Sequence, residues 1–405
     1  MRTARRRLFL ASALVVAAAV AVGVHARGRA AFAPASALAS MPGPNETFDA
    51  WARRLEAKGV EVSAGIWDLQ SGKLLESHNP DAALLPASTT KIISTYAMLR
   101  IWKPDFELRT EIFGNLSGNT VRGDLVIKGG GDPFLTSERI WVLAQDLKRL
   151  GVYRVTGRLR LDQSAFDSQR YAQGWENTSA NTTPPISALA VNFNRDERGN
   201  LVVDPDALAY TTFQRVFQET GIAFDGLQTN EPPARKLMDF PSPPLRMLIQ
   251  DINKFSNNFM VEMLLKALGD GSWPSGVARV QAFYQTNYGL GPDKIRFTDG
   301  SGLSKDNRLS ARTLAVVLRG AWNDFEVGPE FQASLKVIGG EPWRLKIKDP
   351  NLARRVRCKT GHLSGVDTVC GVIQMPDGKL RVFAILLNGK ANDQDVWEQV
   401  SRWAN

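Results

Sequence analysis

Three short polar elements, Ser88-Thr89-Thr90-Lys91, Ser256-Asn257-Asn258 and Lys359-Thr360-Gly361, stand far apart in this chain. If they serve one site, the fold must carry an early, a middle and a late segment into the same cleft. The long step from Lys91 to Ser256 must then be an excursion that leaves the cleft intact. The chemistry favours one site. A serine hydroxyl is a poor nucleophile at neutral pH and needs a base within hydrogen-bond reach. A lysine three residues on, on a helix, shares a face with the serine one turn away. Ser256 and Asn258 would add a proton relay and an amide that orients substrate, and Lys359 a cation that holds a carboxylate. The combination points to an acyl-serine enzyme.

The scarcity of histidine narrows the choice of base. His25, His78 and His362 are the only ones, and His25 lies in a segment expected to be removed. A Ser-His-Asp triad on either of the others has no supporting motif such as a Gly-x-Ser-x-Gly elbow. A His-rich zinc site is excluded by number, and a Cys-rich one by the presence of only Cys358 and Cys370. No metal or cofactor is expected.

The formal charge of +9 looks like a nucleic-acid signal. Six of the cations, Arg2, Arg5, Arg6, Arg7, Arg27 and Arg29, lie in the N-terminal segment, which has no acidic residue, and without them the excess is +3. That balance, without a Lys/Arg run, argues against a nucleic-acid partner. Arg5-Arg6-Arg7, the apolar run from Leu8 to Val24 and the small residues of Ala35-Ser36-Ala37-Leu38-Ala39 have the order of a secretory signal over residues 1–39. Export to the periplasm is expected, with no membrane span after signal removal. An uncleaved anchor is the alternative. With 43% hydrophobic and 22% charged residues, the remainder can bury one large core or several smaller ones.

A coarse pass gives a sheet flanked by helices, built from N- and C-terminal pieces combined. Residues 40–45 read as a linker. Glu46 to Lys58 reads as an amphipathic helix, and Val62 to Leu75 as two strands around Gln70-Ser71-Gly72. Ser88 to Trp102 has Ile92, Ile93, Tyr96 and Leu99 at helical spacing and stops before Pro104, which puts Ser88 at a helix N-terminus. There the free N–H groups favour developing negative charge. From Asp105 to Pro244 the texture changes to short segments with many turns and none of the three motifs. This stretch reads as an inserted, mainly β-rich unit over residues 105–244 within a catalytic unit formed by 40–104 and 245–405. Gly129-Gly130-Gly131 lacks a following Gly-Lys-Ser/Thr and reads as a tight turn rather than a phosphate loop. Ser256 is expected to open a buried helix running to Leu268, and Asn392 to cap a terminal helix. If the run carrying Lys359 and the apolar run Gly371 to Met375 that Cys370 begins, on either side of the turn-rich His362-Leu363-Ser364-Gly365, are antiparallel neighbours, Cys358 and Cys370 could form a disulfide bracing the strand of Lys359. Two core thiols are the alternative.

With the motifs in this order, the chain resembles the penicillin-recognising serine peptidases, specifically the penicillin-binding protein 4 type of D-alanyl-D-alanine carboxypeptidase/endopeptidase. Gly130-Gly131-Asp132-Pro133, the run from Pro185 to Asn194, and Asp299-Gly300-Ser301-Gly302-Leu303-Ser304 with Asn307-Arg308 carry the likeness across nearly the whole mature chain. The resemblance implies an α/β (α+β) fold of the penicillin-binding transpeptidase/β-lactamase type. It implies Ser88 as the acylated nucleophile, Lys91 as its base, Ser256 as relay and Asn258 as the group gripping the substrate amide. Lys359 and Thr360 would hold the terminal carboxylate, and the N–H groups of Ser88 and His362, beside Gly361, would form the oxyanion hole. The implied partners are peptidoglycan stem peptides and β-lactams. Three departures stand out: His362 where the family more often has threonine, the run Glu176-Asn177-Thr178-Ser179 after Gly174-Trp175, and Gly339-Gly340-Glu341-Pro342 in place of a glycine-rich stretch. The competing readings are a non-catalytic peptidoglycan-binding protein and a β-lactamase, which needs a water-activating base that no glutamate suggests itself for.

Overall fold

The computed structural model describes residues 46–175, 183–227, 234–340 and 352–405. The expected leader and linker at 1–45 and the departures at 176–179 and 341–342 lie outside them. The chain opens with helix α1 (Phe48–Glu56), strands β1 (Glu61–Asp68) and β2 (Leu74–His78), and helix α2 (Thr90–Trp102). Strands β3 (Arg109–Ser117) and β4 (Thr120–Lys128), helix α3 (Ser137–Arg149), and strands β5 (Arg154–Val155) and β6 (Leu159–Asp162) follow. Helix α4 (Pro205–Glu219) and strands β7 (Ala223–Phe224) and β8 (Arg235–Pro241) come next. Then come helices α5 (Leu245–Phe255), α6 (Asn258–Leu268), α7 (Trp273–Tyr288), α8 (Ala311–Asn323) and α9 (Gly328–Ser334). Strands β9 (Lys336–Val337), β10 (Val356–Leu363), β11 (Val366–Gln374) and β12 (Leu380–Asn388) and helix α10 (Asp393–Ala404) close the chain.

One sheet has the order β2-β1-β12-β11-β10-β9, with antiparallel neighbours throughout. It is covered on both sides, so its central strands are near-continuous apolar runs rather than alternating ones. Successive residues nevertheless face different cores, as the period-2 pleat requires. Ile66, Val369 and Phe383 pack with Trp51 and Leu55 of α1 and Val400 and Trp403 of α10. Their neighbours Trp67, Cys370 and Ala384 pack with Ile92, Leu264 and Leu318 of α2, α6 and α8. The sheet thus separates a thin two-helix layer from a thick helical layer, and the site forms where the thick layer meets β10.

That pleat corrects the disulfide expectation. Cys358 stands opposite Gly371, and Cys370 opposite Lys359. The one-residue offset puts Cys358 in the core under α1 and α10 and Cys370 in the core under α2 and α6, on opposite faces of the sheet. Side chains that leave opposite faces direct their sulfurs apart, and the two cysteines form no disulfide.

The second sheet has the order β7-β5-β4-β3-β8, with β6 also on β4, and all its strands come from residues 109–241. It has its own core, in which Ile112, Leu125 and Ile127 pack against Leu143 and Leu147 of α3 and Phe213 and Phe217 of α4. Helix α4 is the element that the sequence reading passed over in this stretch. Its start carries a strong signal: Asp204 accepts hydrogen bonds from the N–H groups of Asp206 and Ala207, and Pro205 occupies the first turn.

Candidate active site

The turn before α2 is where Ser88 is positioned. Ala87, a non-glycine residue, has φ of +46°, so the chain enters the 3₁₀ turn Ala87–Thr89 through the left-handed region. Such a conformation costs on the order of 1–3 kcal/mol and persists only where the surroundings hold it. They do so here by three hydroxyls. Thr89 Oγ1 and Thr368 Oγ1 both donate to the Pro86 carbonyl, at 2.6 and 2.8 Å, and Thr90 Oγ1 donates to that of Ala87 at 2.8 Å. Two glycines allow the close approach. A Cβ on Gly361 would stand 2.7 Å from the Ser88 nitrogen, and one on Gly302 would overlap the Ala87 carbonyl. The glycine of Lys-Thr-Gly therefore lets β10 lie directly against the serine turn.

Lys91 is fully buried, and its Nζ lies 3.0 Å from Ser88 Oγ, 2.6 Å from Asn258 Oδ1 and 2.7 Å from the Ser301 carbonyl. Three acceptors match the three protons of an ammonium. In the neutral amine the two N–H groups remain on Asn258 and Ser301, and the lone pair faces the Ser88 hydroxyl. Burial brings the Lys91 pKa down to about 7, with the carboxylates of Glu262 and Asp299 acting against the shift. A lysine in that condition can exchange a proton near neutrality.

Ser256 does not open a helix as the sequence suggested. It closes α5 in a left-handed conformation, with φ of +57°, and its N–H donates to Ile252. The N-cap of α6 is Asn257, whose side chain accepts from the N–H of Met260. The expected cap was one residue off, and the consequence is an elbow between two helices that directs Ser256 and Asn258 to the same side. Ser256 Oγ accepts from Lys359 Nζ at 2.9 Å, and the same ammonium donates to the Thr360 carbonyl at 2.7 Å. Lys359 is fully buried, and its pKa is held well below the ordinary lysine value, chiefly by burial and then by the nearby charge of Lys91. A bound carboxylate would favour its ammonium form.

Ser88, Ser256, Thr360, Gly361 and His362 line one cleft of about 640 Å³ that continues past Asp367 to Asn392 and Trp397 of the terminal segment. The His362 ring is exposed, and its Nδ1 lies 2.7 Å from Asp367 Oδ1. His78 is elsewhere, on β2, with Nε2 on Glu56 at 2.8 Å. The hydroxyl, amide and ammonium singled out in the sequence therefore converge, with Lys91 and not an imidazole on Ser88. The described residues contain no cluster of metal-ligating side chains, and no helix among them is long and apolar enough to cross a membrane.

The sequence reading missed Glu262, and it named Asp299 only within the Asp299–Ser304 run without a role. Glu262 and Asp299 are buried behind Lys91. The signal for Glu262 was a lone carboxylate inside the otherwise apolar stretch Phe259 to Leu265 of α6, a residue type almost never fully buried without partners.

Comparison with known proteins agrees with the geometry. The chain is 27% identical over 439 aligned positions to a D-alanyl-D-alanine carboxypeptidase of Actinomadura sp., covering 85% of this chain and 80% of that protein. Its fold is similar to that of penicillin binding protein 4 from Haemophilus influenzae, with a TM-score of 0.74, 20% identity, and coverage of 84% and 94%. The same protein has been solved in complex with a β-lactam. A predatory peptidoglycan endopeptidase from Bdellovibrio bacteriovorus is similar at a TM-score of 0.58 and 18% identity, with coverage of 85% and 93%. The model of the D-Ala-D-Ala carboxypeptidase 3 (S13) family matches residues 46–200 and 188–405, which span the whole described fold, and the chain belongs to that family.

Proposed function

We propose that this chain is an exported serine peptidase that cleaves the D-alanyl-D-alanine terminus or the D-centre cross-link of peptidoglycan stem peptides, and that β-lactams acylate it at Ser88. The observation that carries this reading is the pair of buried lysines, one on Ser88 and one on Ser256, at a single cleft. Residues 40–104 and 245–405 would form the catalytic unit and 105–244 the insertion, in keeping with the two separate sheets.

In the acylation step, Lys91 takes the Ser88 proton as Oγ attacks the substrate carbonyl. The tetrahedral oxyanion is received by the N–H groups of Ser88 and His362. Preorganised donors of this kind are worth several kcal/mol each. Collapse breaks the C–N bond, and the leaving amine takes a proton passed from Lys91 through Ser256. Asn258 holds the substrate amide, and Lys359 with Thr360 holds the carboxylate. Water then attacks the ester, with the same lysine as base. Peptidoglycan lies outside the cytoplasm, which accords with the secretory signal expected over residues 1–39.

Glu262 does not supply the water-activating base that a β-lactamase would need. It is fully buried and accepts hydrogen bonds from Trp273 Nε1 and the N–H groups of Gly300 and Ser301. Digestion of purified muropeptides with the enzyme, followed by mass analysis, tests the proposal. Loss of one alanine or release of monomers from cross-linked dimers is expected. Unchanged muropeptides would reject it, and a rapid turnover of penicillin instead would favour the β-lactamase reading.

A further inference from the structure

Behind Lys91, away from the cleft, lies a buried anionic frame that the acylation scheme above does not use. The N–H groups of the loop from Asp299 to Ser304 are held by two carboxylates, while Ser94 Oγ of α2 donates to the Gly300 carbonyl at 2.8 Å. Asp299 accepts from Trp175 Nε1 at 2.8 Å, the N–H groups of Gly302 and Ser304 at 2.9 and 2.8 Å, and Asn307 Nδ2 at 2.7 Å. Glu262 Oε1 accepts from the N–H of Ser301 at 2.7 Å, and Oε2 accepts from Trp273 Nε1 at 2.7 Å and the N–H of Gly300 at 3.2 Å. Between them they fix the peptide units on both sides of Gly300 and Ser301. The carbonyl of Ser301 is the one that receives Lys91 Nζ.

We propose that Glu262 is a positioning residue for acylation: it fixes the peptide unit that leads into Ser301, next to the Ser301–Gly302 unit that Asp299 holds, so that the Ser301 carbonyl stays against Lys91, and its charge sets how readily Lys91 releases the proton that keeps it from acting as a base. The inference rests on the function proposed above. Its first half follows from geometry. The neutral amine aims its lone pair at Ser88 only while both of its N–H groups are held by Asn258 and Ser301. A Ser301 carbonyl free to turn would let the amine rotate away from the hydroxyl. The second half follows from charge. Every hydrogen bond of Glu262 is one it accepts, which is the pattern of a carboxylate. Burial and the neighbouring Asp299 act the other way and raise its pKa to about 7. Lys91, brought down to about 7 by its own burial, faces both carboxylates. The charge of Glu262 therefore acts on Lys91 and favours its protonated form, against the effect of burial. The other charged groups around them are Asp299 in the loop and, beyond Lys91 on β10, Lys359. Lys266, one turn further along α6, is paired with Asp167.

The sign of the effect is fixed. An ionised Glu262 favours the ammonium form of Lys91, so removing its charge makes Lys91 a free base at lower pH. The test is the second-order rate of Ser88 acylation by benzylpenicillin between pH 5 and 9, for the wild type and for Glu262→Gln. The acid limb of the variant's profile is expected to move to lower pH by about one unit, the size of a single removed neighbouring charge. Its plateau is expected to fall by about 10- to 100-fold, because the amide presents an N–H to donors and loosens Ser301. A plateau that falls with the limb unmoved would overturn the charge role, and an unchanged profile would overturn both halves. Trp273→Phe removes one donor from Glu262 Oε2 and provides the second arm if the first variant does not fold. The limb is expected to move the same way by a smaller amount, and a limb that stays put overturns the proposal. A wild type that benzylpenicillin does not acylate would count against the function proposed above and not against this inference.

Discussion

Replacing Lys91 by methionine is expected to slow acylation of Ser88 by about 10³- to 10⁴-fold, the range for loss of a positioned general base whose serine is left in place. The unbranched methionine side chain fills much of the same buried space, so the helix α2 packing is preserved. What is lost is the amine. Asn258 Oδ1 and the Ser301 carbonyl lose a donor that lies at 2.6 and 2.7 Å. Each buried acceptor left without a partner costs about 1–3 kcal/mol, partly offset because a buried cation is no longer desolvated. A modest drop in melting temperature with a near-total loss of acylation is the expected combination. The wild type should show the complementary pH dependence. With the Lys91 pKa at about 7, the base form is populated above that pH, and the acylation rate falls tenfold per unit as pH drops below it. A stopped-flow series with a chromogenic cephalosporin measures both. Acylation of Lys91→Met at a wild-type rate would remove Lys91 from the mechanism.

Gly302→Ala is expected to be the most damaging substitution outside the ionisable groups. Gly302 has φ of +85°, and an added Cβ would overlap the carbonyl of Ala87, the residue that leads into Ser88. Backbone cannot yield as a side-chain tip does. The left-handed conformation and the overlap together should cost about 2–4 kcal/mol. Gly378, at the tip of the β11–β12 turn, supplies the control. It has φ of +84°, and a Cβ added there would meet nothing within 4 Å, so Gly378→Ala should cost only the conformational part, about 1 kcal/mol. Thermal unfolding of the two variants isolates the contact. At Gly302 the acylation rate should fall at least tenfold even where the protein is folded, because the strained turn at Ala87 is displaced. At Gly378 it should not change. Equal melting temperatures for the two variants would refute the argument from close approach.

Local signals in the sequence were a good guide wherever one helical turn or one hairpin carried the information. Ser88 and Lys91 meet because three residues is one turn, and Pro376-Asp377-Gly378 makes the turn between β11 and β12. Asn392 caps α10 through the N–H of Asp395 as its side chain suggests. The failures came where a one-residue difference decides the outcome. Cys358 and Cys370 sit on neighbouring strands, but which faces they share depends on the register, and nothing local to either cysteine sets it. Ser256 and Asn257 are both good caps, and a left-handed break at Ser256 assigns the cap to Asn257. Glu262 was visible as the one carboxylate in a helix rich in apolar residues. Its partners are Trp273 on the next helix and two N–H groups in a loop almost forty residues away, and no periodicity points to them.

Of the site, the reactive groups were legible and the frame behind them was not. Reactive groups advertise themselves by type, since few residues can act as nucleophile, base or cation. A frame is made of backbone N–H groups and carbonyls, which every residue carries. The Ser301 carbonyl at Lys91 and the Ala87 turn under Ser88 could be found only from coordinates.

The central claim is that Ser88 is the group acylated in this cleft, with a lysine as its base. Its most direct test is mass analysis of the intact protein after exposure to benzylpenicillin, followed by proteolysis and fragmentation of the modified peptide. The account predicts a single adduct of the mass of one penicillin, located on Ser88 and missing from Ser88→Ala. An adduct on another residue, or an unmodified wild-type protein that is otherwise folded, would contradict it.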